Sequence, residues 1–490
     1  MSEESVGSRA ASGIALTIAL GLIARAFSLV VNVFITRYVS PGDYGEANGA
    51  AVLAGTAAAF SSFGLGAYLV AHPKEDRRVT WHVTVYGMLS CAILLGVVWL
   101  TRGALSSFFK LPNVMRYLPY FVASVLLERS SLVMEKLLLR QLRYRTLGIT
   151  SSLAEASFAI TTLTCVLLGY GAMSIAFANI VRAVLKVVIY GKAVDRAEWF
   201  SPGPLTWEIT RRLIRFGAPI TLGGVSDFVG RRWDNLLTSR LFGASMMGAY
   251  NSAYNLAEMP SVTVGERVGD ALLPAFAHLR LEDRLPGLLR AIRLLSLLLF
   301  PIAVGLGAIS ESAVQAFFDP SWYAVAPMLT ILSGISVARP LSYSVAMYLQ
   351  AGGRTASSAG LDICKTIVLL LLMWLVGPMG PLWICGAVVF TLGFQAALLL
   401  FFVGQTGGHL WQSLSAPVRP LIACIPMVAA VFATRQFVHA HISAAPLVSL
   451  LLEIVIDGVV FVASAFVFAR PIALDLLAVG KRMLARRRGR

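Results

Sequence analysis

The chain has 490 residues, is 57% hydrophobic and 13% charged, and carries a formal charge of +16. Apolar runs of about 20 residues, the length a bilayer-spanning helix needs, recur from end to end, which excludes an ordinary soluble fold. In such a chain an excess of Lys and Arg reads as loops obeying the positive-inside rule, not as a nucleic-acid surface.

The periodicity predicts an all-α polytopic membrane protein of about fourteen helices. They fall at 13–38, 46–70, 80–100, 115–134, 147–168, 172–192, 213–240, 247–273, 288–309, 323–348, 358–377, 380–403, 418–438 and 446–468. Turn-forming residues punctuate them, among them Ser40-Pro41-Gly42-Asp43, Gly169-Tyr170-Gly171 and Gly377-Pro378-Met379-Gly380-Pro381. Met1–Gly13 is polar and the next apolar run carries Arg25, so no cleavable signal is expected. With the N-terminus placed in the cytoplasm, most Lys and Arg gather on the inner side, as in Lys74, Arg77, Arg78 and Lys136, Arg140, Arg143, Arg145. The outer loops hold Arg102, Lys110, Arg116 and Arg435, with Arg37 and Arg240 at helix ends. This places both termini in the cytoplasm. The tail from Lys481 to Arg490 reads either as a contact for anionic head groups or as a topology anchor.

The seventh helix is the unusual one. Asp227, Arg231 and Asp234 are spaced i, i+4, i+7 and share a face; Arg232 lies about 100° around the same turn. A charge at the bilayer centre costs about 2.5–3.5 kcal/mol on insertion scales, so the cluster is expected to face protein or water. Further cations fall inside apolar runs: Arg25, Arg182 and Lys186 in the first half, Arg267, Arg339 and Lys365 in the second. Arg25, Arg231, Arg232, Arg267 and Arg339 are the candidate substrate-binding residues, since a charge inside the membrane marks a substrate or ion pathway. Asp227, Asp234 and Glu258 are the candidates for binding a driving proton or sodium ion, or for charge pairing. Asp227 with Arg231, Glu266 with Arg267 and Asp362 with Lys365 can equally be structural pairs, and Arg182 and Lys186 can snorkel to an interface. Glu453 and Asp457, i and i+4 on the last helix, mark a groove or a helix contact.

Catalytic chemistry is not expected. There is no G-x-S-x-G, P-loop or H-E-x-x-H, and no loop is long enough to form a soluble domain. The outer segment SESAVQAFFDPS, between the ninth and tenth helices, holds no catalytic constellation. Five cysteines in apolar runs and six scattered histidines predict neither disulfides nor a metal site, and no cofactor is implied. Trp81, Trp199, Trp207, Trp322 and Trp411 lie near helix ends, as in an interfacial belt; Tyr250, Tyr254 and Trp233 read as core packing rather than sugar platforms.

An offset of 203 residues aligns Asn32, Arg37, Gly45, Asn48, Ala50, Leu53 and Ala54 with Asn235, Arg240, Gly248, Asn251, Ala253, Leu256 and Ala257. Six predicted helices separate the copies, so the repeat is parallel, an arrangement common in secondary transporters. It implies lobes at 1–203 and 204–403, followed by two extra helices and a basic tail at 404–490.

The repeat windows also carry a resemblance. Arg37-Tyr-Val-Ser-Pro-Gly-Asp43-Tyr44-Gly45 and Phe63-Gly64-Leu65-Gly66 resemble the first hairpin of bacterial polysaccharide flippases. Asp234-Asn-Leu-Leu-Thr-Ser-Arg-Leu-Phe-Gly243 and Gly248-Ala-Tyr250-Asn-Ser-Ala253-Tyr254 resemble their seventh and eighth helices. These are the Wzx-type lipid-linked oligosaccharide flippases of the multidrug/oligosaccharidyl-lipid/polysaccharide exporter superfamily. Family members often carry an acidic residue before the glycine of the second helix; here the stretch is Ser61-Ser62-Phe63-Gly64. The resemblance implies a two-lobed bundle in the bacterial inner membrane. It would flip undecaprenyl-diphosphate-linked oligosaccharide by alternating access, beside polysaccharide polymerase machinery and membrane lipids. A lipid II flippase and a cation-coupled multidrug exporter are the alternatives within the superfamily.

Overall fold

The computed structural model describes residues 31, 33–406, 410–441 and 446–488. Most of the first predicted helix, including Arg25 and the repeat residue Asn32, lies outside them. Among the described residues every regular element is helical. Helices cover each of the other predicted stretches. Among the described residues nine helices are long and apolar enough to cross a membrane, or ten if one bent pair is a single span. The chain divides into two compact units, residues 1–248 and 249–490.

The first unit contains α1 (Pro41–Phe60), α2 (Leu65–Ala71), α3 (Arg77–Leu100), α4 (Val114–Arg140), α5 (Tyr144–Leu167), α6 (Met173–Ala193) and α7 (Trp207–Phe242). Helix α1 starts sharply because Ser40 accepts the Asp43 N–H and Pro41 occupies the first turn. Its Ala47, Ala50, Ala54 and Ala57 are buried, and these small side chains let α4 and α7 approach closely. Helix α4 is the hub, packing on α1, α3 and α6, while α5 pairs with α6.

Helices α1 and α2 form the bent pair, at 50°. The bend is built from Phe63 and Gly64, both at positive φ, and α7 closes on it so tightly that a Cβ on Gly217 would overlap the Phe63 carbonyl. Arg129 from α4 donates to the Ala58 carbonyl and, at 2.7 Å, to the Ser61 hydroxyl. A cation thus sits on the exposed carbonyl end of α1, where the helix dipole favours it.

A second close approach joins the start of α1 to the start of α8 (Ala244–Pro260). A Cβ on Gly45 would overlap the Ala244 carbonyl, and one on Gly248 would overlap the Pro41 carbonyl. Pro41 and Ala244 are themselves 203 residues apart, so the contact is reciprocal between positions that the 203-residue offset pairs.

In the second unit α8 runs through a π-turn, Ser261–Gly265, into α9 (Glu266–His278). The cause is visible in the hydrogen bonds. The Ser336 hydroxyl accepts from the Ser261 N–H at 3.1 Å and donates to the Ala257 carbonyl at 2.6 Å. It therefore inserts into the bond that would close the regular helical turn. Ser336 belongs to α13 (Ile335–Ala351), which follows α10 (Leu281–Ala308), the short α11 (Ser310–Phe317) and α12 (Val325–Leu332). Then come α14 (Thr355–Val376), α15 (Pro381–Thr406), α16 (Val418–His441) and α17 (Pro446–Phe468).

The outer segment SESAVQAFFDPS is thus ordered: α11 packs on α17, and Asp319 caps the next turn by accepting the Ser321 N–H at 3.0 Å. That bond holds the Asp319 carboxyl below its ordinary range. Trp322, expected in the interfacial belt, is instead fully buried beside Phe318, whereas Trp207 and Trp411 are exposed. The basic tail forms α18 (Arg470–Arg488). Its Ile472 and Ala473 pack with Leu297, and Arg290 grips Asp475 through two bonds of 2.6 and 2.7 Å.

Candidate functional site

The charged part of α7 is reached through a 36-residue helix, interrupted in composition but not in course by Pro219. Arg231 Nε donates to Asp227 Oδ1 at 2.9 Å, one turn away, so this pair is local. Arg232 is half-buried and has no ion pair among the described residues. Asp234 is fully buried; its Oδ1 accepts from the Asn235 backbone N–H at 2.8 Å and side-chain amide at 2.9 Å. Asn235 in turn accepts from Asn48 of α1 at 3.4 Å, and Trp233 donates to Thr56 of α1 at 3.1 Å. The residues flanking the arginines therefore anchor α7 on α1.

Arg182 and Lys186 meet carboxylates of neighbouring helices. Lys186 binds Glu128 of α4 at 2.8 Å and Arg182 faces Glu155 of α5 at 3.6 Å, over the Phe158 ring. Neither carboxylate stands out by spacing, because each meets its cation from another helix. An isolated Glu inside an apolar run was the available signal.

In the second unit Arg339 and Glu258 come together. Arg339, immediately before Pro340 of α13, is buried and forms an ion pair with Glu258 of α8; its other nitrogen donates to the Tyr254 hydroxyl at 2.8 Å. Tyr250 and Tyr254 are buried in the packing of α8. Glu258 and Tyr254 are i and i+4, so one face of α8 clamps one guanidinium. Asp362 accepts from Lys365 at 3.4 Å and from Gln395 of α15 at 2.8 Å. The backbone of Arg267 lies in the first turn of α9; its side chain, like that of Glu266, is outside the described part.

A network unforeseen in the sequence links α16 to α17. Arg435, expected in an outer loop, lies within α16 and meets both oxygens of the fully buried Glu453 at 3.2 and 3.3 Å. It also meets Glu311 of α11 at 3.1 Å. Glu453 therefore makes a helix contact.

This arrangement of helices is a known class of membrane fold. The fold is similar to that of a lipid II flippase, MurJ, with a TM-score of 0.74 and 14% identity, covering 94% of this chain and 99% of that one. It is also similar to an inward-facing multidrug resistance MATE family transporter of the MOP superfamily, at 0.60 and 15% identity over 79% of this chain and 95% of that one. Within that class the polysaccharide biosynthesis protein family matches residues 34–327, and the chain belongs to it. Among its relatives, lipopolysaccharide biosynthesis protein WzxC of Escherichia coli K12 is 21% identical over 80% of this chain and 78% of its own length. Succinoglycan biosynthesis transport protein ExoT of Rhizobium meliloti is 25% identical over 61% of this chain and 60% of its own. The chain is a multi-pass membrane protein of polysaccharide biosynthesis.

Proposed function

We propose that this protein is a flippase. It moves an undecaprenyl-diphosphate-linked oligosaccharide from the inner to the outer leaflet of the bacterial cytoplasmic membrane, for capsule, O-antigen or exopolysaccharide assembly. It works as a transporter rather than an enzyme, with both termini in the cytoplasm. The observation that carries this reading is the state of α7: Arg232 is half-buried without an ion pair among the described residues, and Arg231 meets a local carboxylate. A guanidinium in an apolar helix favours an anionic partner, and a diphosphate supplies one with matching geometry. Family membership and the names of WzxC and ExoT support a polysaccharide cargo.

Alternating access operates between repeat lobes at 1–203 and 204–403, with 404–490 appended. The reciprocal contact of Gly45 and Gly248 supports that repeat. Arg25, Arg267 and Arg339 are further candidates for the anionic groups of the substrate, Arg339 only when Glu258 releases it. Of the three carboxylates, Asp227 is the one open to a coupling proton or sodium ion: its side chain is 57% exposed, whereas Asp234 is buried and Glu258 is clamped.

The test is leaflet exchange in proteoliposomes. A labelled undecaprenyl-diphosphate oligosaccharide is followed by an impermeant sugar-modifying reagent, with and without ion gradients. Exchange faster than with an unrelated membrane protein is expected, and its gradient dependence names the coupling ion. Exchange of lipid II alone moves the reading to peptidoglycan precursors. No exchange of either lipid, with ion-driven drug uptake, replaces it by drug export.

A further inference from the structure

The second unit holds a cavity of about 430 Å³ where α10, α11, α12 and α16 meet. Small-molecule sites span roughly 300–1,000 Å³, so the volume suits a ligand larger than water. Its polar wall is prebuilt. Besides Glu453 and Glu311, Arg435 donates to the Ala308 carbonyl at 2.6 Å, so its guanidinium is fixed by acceptors on three helices. Glu453 takes a further bond from Ser312 at 2.7 Å. Beside them the hydroxyls of Ser310 and Thr330 lie 2.6 Å apart, and Gln315 adds a carboxamide. The apolar wall is aromatic: Phe432 and Tyr323 line the cavity, 49% and 44% exposed.

The chemistry of these walls selects a ligand. Two carboxylates face one guanidinium, so the site carries a negative excess and disfavours a phosphate or carboxylate. A lipid tail has no use for Glu311, Gln315, Ser310 and Thr330. A neutral pyranose fits both walls: its hydroxyls donate to the carboxylate and accept from the carboxamide and hydroxyls, and its apolar ring face lies on Phe432 or Tyr323. We infer that this cavity is a saccharide subsite, which holds a neutral pyranose residue of the transported glycan. The inference rests on the proposed glycan cargo and gives α16, which lies beyond the repeat, a direct part in cargo binding.

The full chain in lipid nanodiscs, probed by saturation-transfer NMR with methyl pyranosides of hexoses, N-acetylhexosamines and deoxyhexoses, tests it. Saturation transfer to ring C–H protons of at least one pyranoside is expected. The signal should fall at least fivefold in Phe432→Ala and in Glu311→Gln, each with an unchanged thermal midpoint, and persist in Arg232→Ala. Glu311→Gln keeps an acceptor for Arg435, so its loss of signal is not a loss of the network. No transfer from any pyranoside overturns the subsite, as does transfer undiminished in both variants, or displacement of the sugar signal only by an organic cation such as tetraphenylphosphonium. The leaflet-exchange assay separates the two claims: exchange without pyranoside binding removes the subsite alone, and pyranoside binding without exchange removes the flippase reading alone.

Discussion

The two best-defined cationic sites are built in opposite ways. On α7, Arg231 is paired within its own helix to a half-exposed Asp227, and Arg232 beside it has no ion pair among the described residues. On α13, Arg339 is buried and held from another helix by Glu258 and the Tyr254 hydroxyl. A local, solvated pair opens at little cost, because water replaces the partner. A desolvated pair between helices does not, because separating it leaves a buried charge. On the proposed function, the contrast separates a site that receives an incoming anion from one that first holds the second unit together.

The comparison breaks hardest at Glu258. Glu258→Ala strands a buried guanidinium and should destabilise the protein by about 3–5 kcal/mol, read as a lower denaturation midpoint in detergent; adding Arg339→Ala should restore much of it. An equal loss in both variants would deny the clamp. Next is the contact of α1 with α8. Gly45→Leu or Gly248→Leu places side-chain atoms where carbonyls now lie and should cost about 1–3 kcal/mol or shift the protein to a state with this contact open. Cysteine accessibility at Met247, buried beside the contact, measures that opening, and a variant as closed and stable as the parent contradicts the packing. The smallest effect belongs to Asp227→Asn. An exposed i, i+4 pair is worth about 0.3–0.5 kcal/mol, so stability should not change measurably, while any gradient dependence of leaflet exchange should weaken.

What the sequence made legible follows from reach. Apolar length located the helices, and i, i+4 spacing located the Asp227–Arg231 pair. Partners on different helices were invisible to spacing: Lys186 meets Glu128 58 residues away, and Arg435 meets Glu311 124 residues away. Arg129 was missed for the same reason, since its acceptor is a carbonyl freed by a bend that only the folded α1–α2 break creates. The tail was read as a charge anchor because its basic residues dominate its composition. Its helix is fixed by Ile472, Ala473 and Asp475 docking on α10. The π-turn had no local mark beyond Pro260, because the hydroxyl that inserts into it comes from Ser336.

The most direct test of the central claim is leaflet exchange by the Arg231→Ala, Arg232→Ala double variant in proteoliposomes, at matched protein incorporation. Exchange of the diphosphate-linked oligosaccharide should fall to the level of protein-free vesicles, with the thermal midpoint retained. A well-inserted double variant that exchanges the lipid at the parent rate would contradict a cationic path through α7.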